Sequence, residues 1–165
     1  MFVTNHVLSG ALIGRLLKDR PGAALLAGVA SHLVLDAVPH WGCGAAEPGR
    51  SERNAPQVKA SGRFLTVARR DGVLGLGAMA AAAAIVERPA RTATVAAMTG
   101  AVLLDLDKPL FYFFGVNPFP TVVQRLHGWV QRESPHGLAN ELGFGFVCAV
   151  GDVLAVARAR GHRIG

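Results

Sequence analysis

The stretch SHLVLDAVPHWG, Ser31 to Gly42, decides how this chain is read. It lies in a run that is otherwise apolar and helical, yet it carries His32, Asp36 and His40 at intervals of four. Burying such groups without partners is costly, so their presence asks for something that binds them. Residues four apart share a helix face and sit about 6 Å apart along the axis, so His32 and Asp36 can share one ion. His32 and His40 are eight apart, roughly 12 Å along an ideal helix, which one zinc with bonds of about 2.1 Å does not span. Pro39 lets His40 leave the helix line, and two metals about 4 Å apart come closer to the needed reach. The pattern therefore suggests either a polynuclear site with Asp36 as its bridging carboxylate, or one pair plus an outlier. An interhelical hydrogen-bond network without metal is the alternative.

Working outward, the chain reads as helix after helix. Val3–Leu17 is apolar and ends at Lys18-Asp19-Arg20-Pro21, and Pro21 is well placed to start a second helix running to about Val38. Gly42 to Gly62 is rich in Gly, Pro, Ser and charge without apolar period, and reads as a long loop or disordered linker. Phe64–Val86 is a third helix, with a possible break near Asp71-Gly72, and Arg91–Leu106 a fourth. Short helices are expected over Leu110–Val116 and Thr121–Gln131, and a last one from Ser134-Pro135 to about Arg158, before a basic tail over 159–165. No strand pattern or internal repeat is visible. The expected fold is all-α: a single domain, a compact bundle of about five to seven helices with one long loop.

Bulk properties narrow the function classes. The chain has 165 residues, 51% apolar, with a mean hydropathy of +0.34 and a net charge of +6. It is greasier than a typical soluble domain. Its arginines are scattered at helix ends, with no aromatic interleaving and no reader motif, so nucleic acid is not an expected partner. Arginines at segment ends suit a membrane surface equally well. Longer uncharged runs such as Gly72–Val86 and Pro109–Gln124 fall short of the roughly 18 to 20 residues of a clean spanning helix. Association with the cytoplasmic membrane is expected nonetheless. The N-terminal run carries its positive charges after the apolar segment, so no cleavable signal peptide is expected. Cys43 and Cys148 have no CxxC spacing and read as inert thiols.

Five of the six histidines lie in apolar context, together with several carboxylates. Imidazole and carboxylate are the ligands of zinc and similar divalent ions, and helical bundles build metal centres by gathering them from several helices. The candidate ligands are His6, His32, Asp36, Asp105, His127 and His136. His40 and Glu141 are candidates for ligand, second-layer partner or general base. Asp105 and Asp107 are two apart and face opposite ways on a regular helix, so Asp105 alone should reach a site unless the helix changes pitch before Pro109. His127 ends one helix and His136 opens the next, so both can point into one cleft. The plainer alternatives are an exposed terminal His6, a solvated Asp71, an Asp107 paired with Lys108 or Arg91, and an Asp152 paired with Arg158 or another helix.

The islands TNHVLSGALIG, SHLVLDAVPHWG, LLDLDKP and HGWVQRESPHGLANE together resemble small bacterial membrane-associated proteins of a metal-dependent hydrolase type. LLDLDKP is similar to their PDIDH segment, with Lys108 where histidine is usual. The two-histidine patch is similar to their HRGxTHS segment, with wider spacing, and has HxxxN in place of HxxxE. More distantly, the HxxxD element is similar to the all-helical superfamily of zinc-dependent phospholipase C and single-strand nucleases, which hydrolyse phosphoesters at a three-metal site. The resemblance implies a hydrolase acting on phosphoesters, possibly lipid-derived, through a metal-activated water, with one to three divalent ions, zinc the first choice. The alternative is a non-catalytic helical membrane protein whose buried His and Asp groups are structural or bind a structural metal.

Overall fold

The computed structural model describes residues 1–41, 62–134 and 136–161. The Gly42–Gly62 loop up to residue 61, Cys43, and the basic tail from His162 onward lie outside the described residues. Within them the chain forms α1 (Val3–Leu16), α2 (Pro21–Asp36), β1 (His40–Trp41), α3 (Gly62–Ile85), α4 (Arg88–Leu103), a 3-10 turn (Leu104–Leu106), α5 (Asp107–Phe114), α6 (Thr121–Val130), β2 (Glu133–Ser134) and α7 (Leu138–Gly161). The all-α expectation holds, with seven α-helices among the described residues.

Small residues set the packing. α4 makes its most extensive contacts with α1 and α2, and α1 also touches α2, α3 and α7. Ala24, Ala93 and Ala97 are buried between these helices, and Val7, Ala11, Ala82 and Met98 form a second cluster. The backbones approach without intervening side chains. A Cβ on Gly10 would sit 2.7 Å from Met98 Cα, and one on Gly14 would land on the Thr94 backbone. Gly28 and Gly100 meet α4 and α2 backbones in the same way, against Ala97 and Leu25 respectively. Gly10 and Gly14 thus form the small-xxx-small spacing that lets two helices touch closely.

Several local features differ from the sequence reading. α3 runs unbroken through Asp71-Gly72. Asp71 is not solvated: its carboxylate accepts from the Val3 and Thr4 N–H groups (2.6 and 3.2 Å) and from Thr4 Oγ1 (2.8 Å). It therefore satisfies the first turn of α1 and complements its dipole. The 3-10 turn at Leu104–Leu106 tightens the chain between two aspartates, so Asp105 and Asp107 are both buried. A two-residue parallel bridge pairs His40 with Glu133 and Trp41 with Ser134, too short to show any period in sequence. The His40 N–H donates to Arg132 O (3.0 Å) and the Arg132 N–H to Asp36 O (2.9 Å), tying the end of α2 to the exit of α6.

α7 is the helix whose character the sequence concealed. Among the described residues, Leu138–Arg158 is one helix long and apolar enough to cross a membrane, with a mean hydropathy of 1.5 over its best window, 11% of it buried. Glu141 and Asp152 interrupt the run in sequence, but Glu141 is buried and Asp152 pairs with Arg15 of α1 (Nε–Oδ1, 3.7 Å). The outer face, with Leu142, Phe146, Val150 and Leu154, is left exposed and apolar.

Replacing Gly14 by valine should cost about 1–3 kcal/mol or more, because the side chain must displace the α4 backbone. Gly77→Ala, where nothing lies within 4 Å of the added Cβ, should gain roughly 0.5–1 kcal/mol. Urea melts of the two variants check both signs.

Candidate metal centre

Four helical segments deliver the buried polar groups to one place. α1 supplies His6, α2 supplies His32 and Asp36, the 3-10 turn supplies Asp105, and α6 supplies His127. One ligand atom from each of His32, Asp36, Asp105 and His127 lies within 4.8 Å of the others, and all four residues are buried. This group could hold a metal ion.

The hydrogen bonds around the rings fix their outward chemistry. His32 Nδ1 is 2.7 Å from the Ala101 carbonyl, which only accepts, so Nδ1 carries the hydrogen. His127 Nδ1 faces Asp107 Oδ2 at 3.5 Å, and an ionised carboxylate likewise only accepts. In the neutral rings both Nε2 atoms are therefore bare lone pairs. Yet they lie 3.0 Å from each other, and 3.3 and 3.2 Å from Asp36 Oδ2. With the hydrogens on Nδ1, three acceptors converge there, an arrangement that a shared proton or a metal ion would satisfy.

Electrostatics around the cluster follow from burial and these contacts. Burial favours a neutral Asp36, but its contacts with His127, His32 and His6 outweigh that and hold the carboxyl far below the usual range. For His127 burial opposes the charge, yet Asp107 and Asp36 raise its pKa above the ordinary value. His127 is thus where the competing proton would reside. His6 is pushed down to about 4 by burial, against the pull of Asp36 and Asp105, and is a neutral ring at neutral pH. His6 stacks on His32 at 4.1 Å between centroids, with Nε2 3.2 Å from Asp36 Oδ1 and 3.6 Å from Asp105 Oδ2. Asp36 accordingly presents Oδ2 to His32 and His127 and Oδ1 to His6 and to the Met1 amino group (2.7 Å).

Lys108 contacts Asp105 Oδ1 at 3.2 Å. Burial works against its charge, but Asp105 and Asp36 more than offset this and keep it charged. Asp107 is buried rather than at the surface, and its Oδ2 faces His127 Nδ1 at 3.5 Å, a position from which it can orient that ring.

The remaining sequence candidates separate. His40 is buried at the edge of the site; its Nδ1 is 2.9 Å from the Val38 carbonyl and, among the described residues, its Nε2 has no hydrogen-bond partner. Glu141 is buried but faces the start of α1, where Oε2 accepts from the Phe2 N–H (3.1 Å) and from Asn5 Nδ2 (2.7 Å). It positions α1 and hence His6, and it is not among the four clustered groups. His136, expected among the ligands, is exposed and stands outside the cluster. The turn before α7 brings Gly137 hard against the His40 carbonyl, with no room for a Cβ, and leaves the preceding histidine facing out.

Compared with known protein families, with curated proteins and with solved structures, the chain matches none. What the fold and site define is a class: an all-helical protein with a buried His/Asp cluster able to hold a metal ion, and one exposed apolar helix of membrane-spanning length.

Loading the cluster with a divalent ion should release about one proton per ion, from His127, and none from His6. The raised His127 value means that apparent affinity climbs as pH rises through that value and levels off above it. Calorimetric titrations between pH 6 and 9, in buffers of different ionisation enthalpy, count the protons.

Proposed function

We propose that this protein is a membrane-associated, metal-dependent hydrolase acting on phosphoesters. The observation that carries the reading is the convergence of His32 Nε2, His127 Nε2 and Asp36 Oδ2 at 3.0 to 3.3 Å with their hydrogens turned away. Two ligands of a tetrahedral zinc with bonds of about 2.0–2.1 Å lie about 3.3 Å apart, so the spacing of these three atoms suits zinc. Asp105 completes the set, and His6 on the Oδ1 side of Asp36 offers a ligand for a second ion with Asp36 as bridge. The resemblance of the four sequence islands to metal-dependent hydrolases points the same way.

A divalent ion held there would supply Lewis-acid charge and lower the pKa of water toward neutrality. The chain's own groups do the rest. Asp107 and the Ala101 carbonyl hold the two rings with Nε2 inward. Lys108 adds a fixed positive charge beside the site, suited to a phosphoryl oxygen. His40, with its Nε2 unengaged at the edge, is placed to accept or deliver a proton. The exposed apolar face of α7 is the surface that would meet lipid.

The test is metal content and hydrolysis of bis(p-nitrophenyl) phosphate by the purified full chain. At least one zinc per chain and activity that is lost on chelation and restored by zinc are expected. Asp36→Asn should lose both the metal and at least about 100-fold in rate. Absence of bound metal would reject the reading, and metal without hydrolysis would favour a structural centre. The same chain should partition into the detergent phase; full recovery in the aqueous phase would reject membrane association.

A further inference from the structure

A carboxylate that bridges two metal ions gives one oxygen to each, with the ions about 3.5–4 Å apart. Asp105 is placed to do this except for one group. Its Oδ2 stands 3.6 Å from His6 Nε2 and accepts no hydrogen bond among the described residues. Its Oδ1 meets Lys108 Nζ at 3.2 Å. Neither ring nitrogen of His6 makes a hydrogen bond among the described residues, although Nε2 is 3.2 Å from Asp36 Oδ1. His6 Nε2, Asp36 Oδ1 and Asp105 therefore outline a second cation position beside the one that His32, His127 and Asp36 Oδ2 surround. The Met1 nitrogen already sits on Asp36 Oδ1 at 2.7 Å, so Asp105 is the carboxylate left to decide whether that position fills.

Lys108 lies three residues after Asp105, and the pitch change between them brings the two side chains together. Burial works against its charge, but Asp105 and Asp36 outweigh burial and keep the ammonium protonated. A protonated lysine is a compact point charge with three donors and no lone pair. It can take a cation's place on a carboxylate, and it cannot serve as a ligand to a metal ion. A divalent ion sharing Asp105 with it would face a like charge a few ångströms away, where water screens weakly. We propose that Lys108 Nζ takes the place of a second metal ion on Asp105 and so holds the centre to one divalent ion. This rests on the metal-centre reading and adds the number of ions to it. Lys108 acts through Asp105 and touches no metal itself.

The test is zinc bound per chain at saturation, by equilibrium dialysis and native mass spectrometry of the full chain. Its side chain is 29% exposed, so Lys108→Met removes the charge at a position that is not sealed in the core. One zinc is expected in the unaltered chain and in Lys108→Arg, which keeps the charge. Two are expected in Lys108→Met, the second ion binding at least about 100-fold more tightly than in the unaltered chain. Adding His6→Ala to Lys108→Met should return the count to one, since His6 is the neutral donor of the second position. An ion pair that served stability alone would lower the melting temperature of Lys108→Met and leave the count at one. One zinc in Lys108→Met that keeps its helical circular dichroism therefore overturns the proposal and leaves the metal centre standing. So does an exchange-coupled pair of ions in the cobalt-loaded unaltered chain, a measurement by electron paramagnetic resonance that needs no variant. No zinc in any folded chain rejects the metal centre, and the proposal with it.

Discussion

One buried carboxylate organises this molecule. Asp36 has no exposed surface, yet it is held ionised, with the Met1 ammonium 2.7 Å from Oδ1 and three imidazoles that can set a hydrogen or a positive charge against its oxygens. Charge in such a place persists only when paired and hydrogen-bonded. The pairing is incomplete in one respect. Ala101 and Asp107 stand on the Nδ1 side of His32 and His127, so in the neutral rings the nitrogens nearest Asp36 would be lone pairs for a proton or a metal ion to bridge. A network that satisfied itself would turn a hydrogen inward. With Nδ1 bound to Ala101 and facing Asp107, the rings have the orientation in which imidazoles can take up a cation.

The packing exists to make that crowding possible. His6 and His32 come from different helices, and their rings stack at 4.1 Å. Helices kept apart by ordinary side chains stand 8–10 Å between axes. Here Gly10 and Gly14 let α1 lie on α4, and Gly28 and Gly100 let α2 do the same from another side. α4 is thus a spine on which the two helices carrying His6, His32 and Asp36 are mounted, and the pitch change at its end drops Asp105 into the space between them. Asp71 and Glu141, from α3 and α7, hold the first turn of α1 and so fix the height of His6.

Much of this was legible in sequence. Helix after helix followed from alanine content, proline starts and the absence of alternation, and the four-residue spacing of His32 and Asp36 predicted their shared face. Asp105 and His127 drew attention because charge in apolar context needs a reason, and the fold brings both beside His32 and Asp36. Other features were hidden for physical causes. The pitch change that admits Asp107 is three residues long, and the bridge that parks His40 is two. In one dimension His136 looked the stronger candidate of the two, yet the turn at Gly137, seated against the His40 carbonyl, leaves it exposed. Glu141 and Asp152 masked the apolar face of α7, since a linear scan counts charges without knowing that they point inward. The GxxxG spacing of Gly10 and Gly14 was the signal for close α1–α4 contact, readable once glycine is seen as an approach device.

The central claim is that the lone pairs of His32 and His127 converge on a metal ion. Long-range ¹H–¹⁵N spectra of ring-labelled histidine in the zinc-saturated protein read it directly. Both rings should show a protonated Nδ1 and an unprotonated Nε2 shifted by zinc. A proton on Nε2 of either ring under saturating zinc would contradict the account.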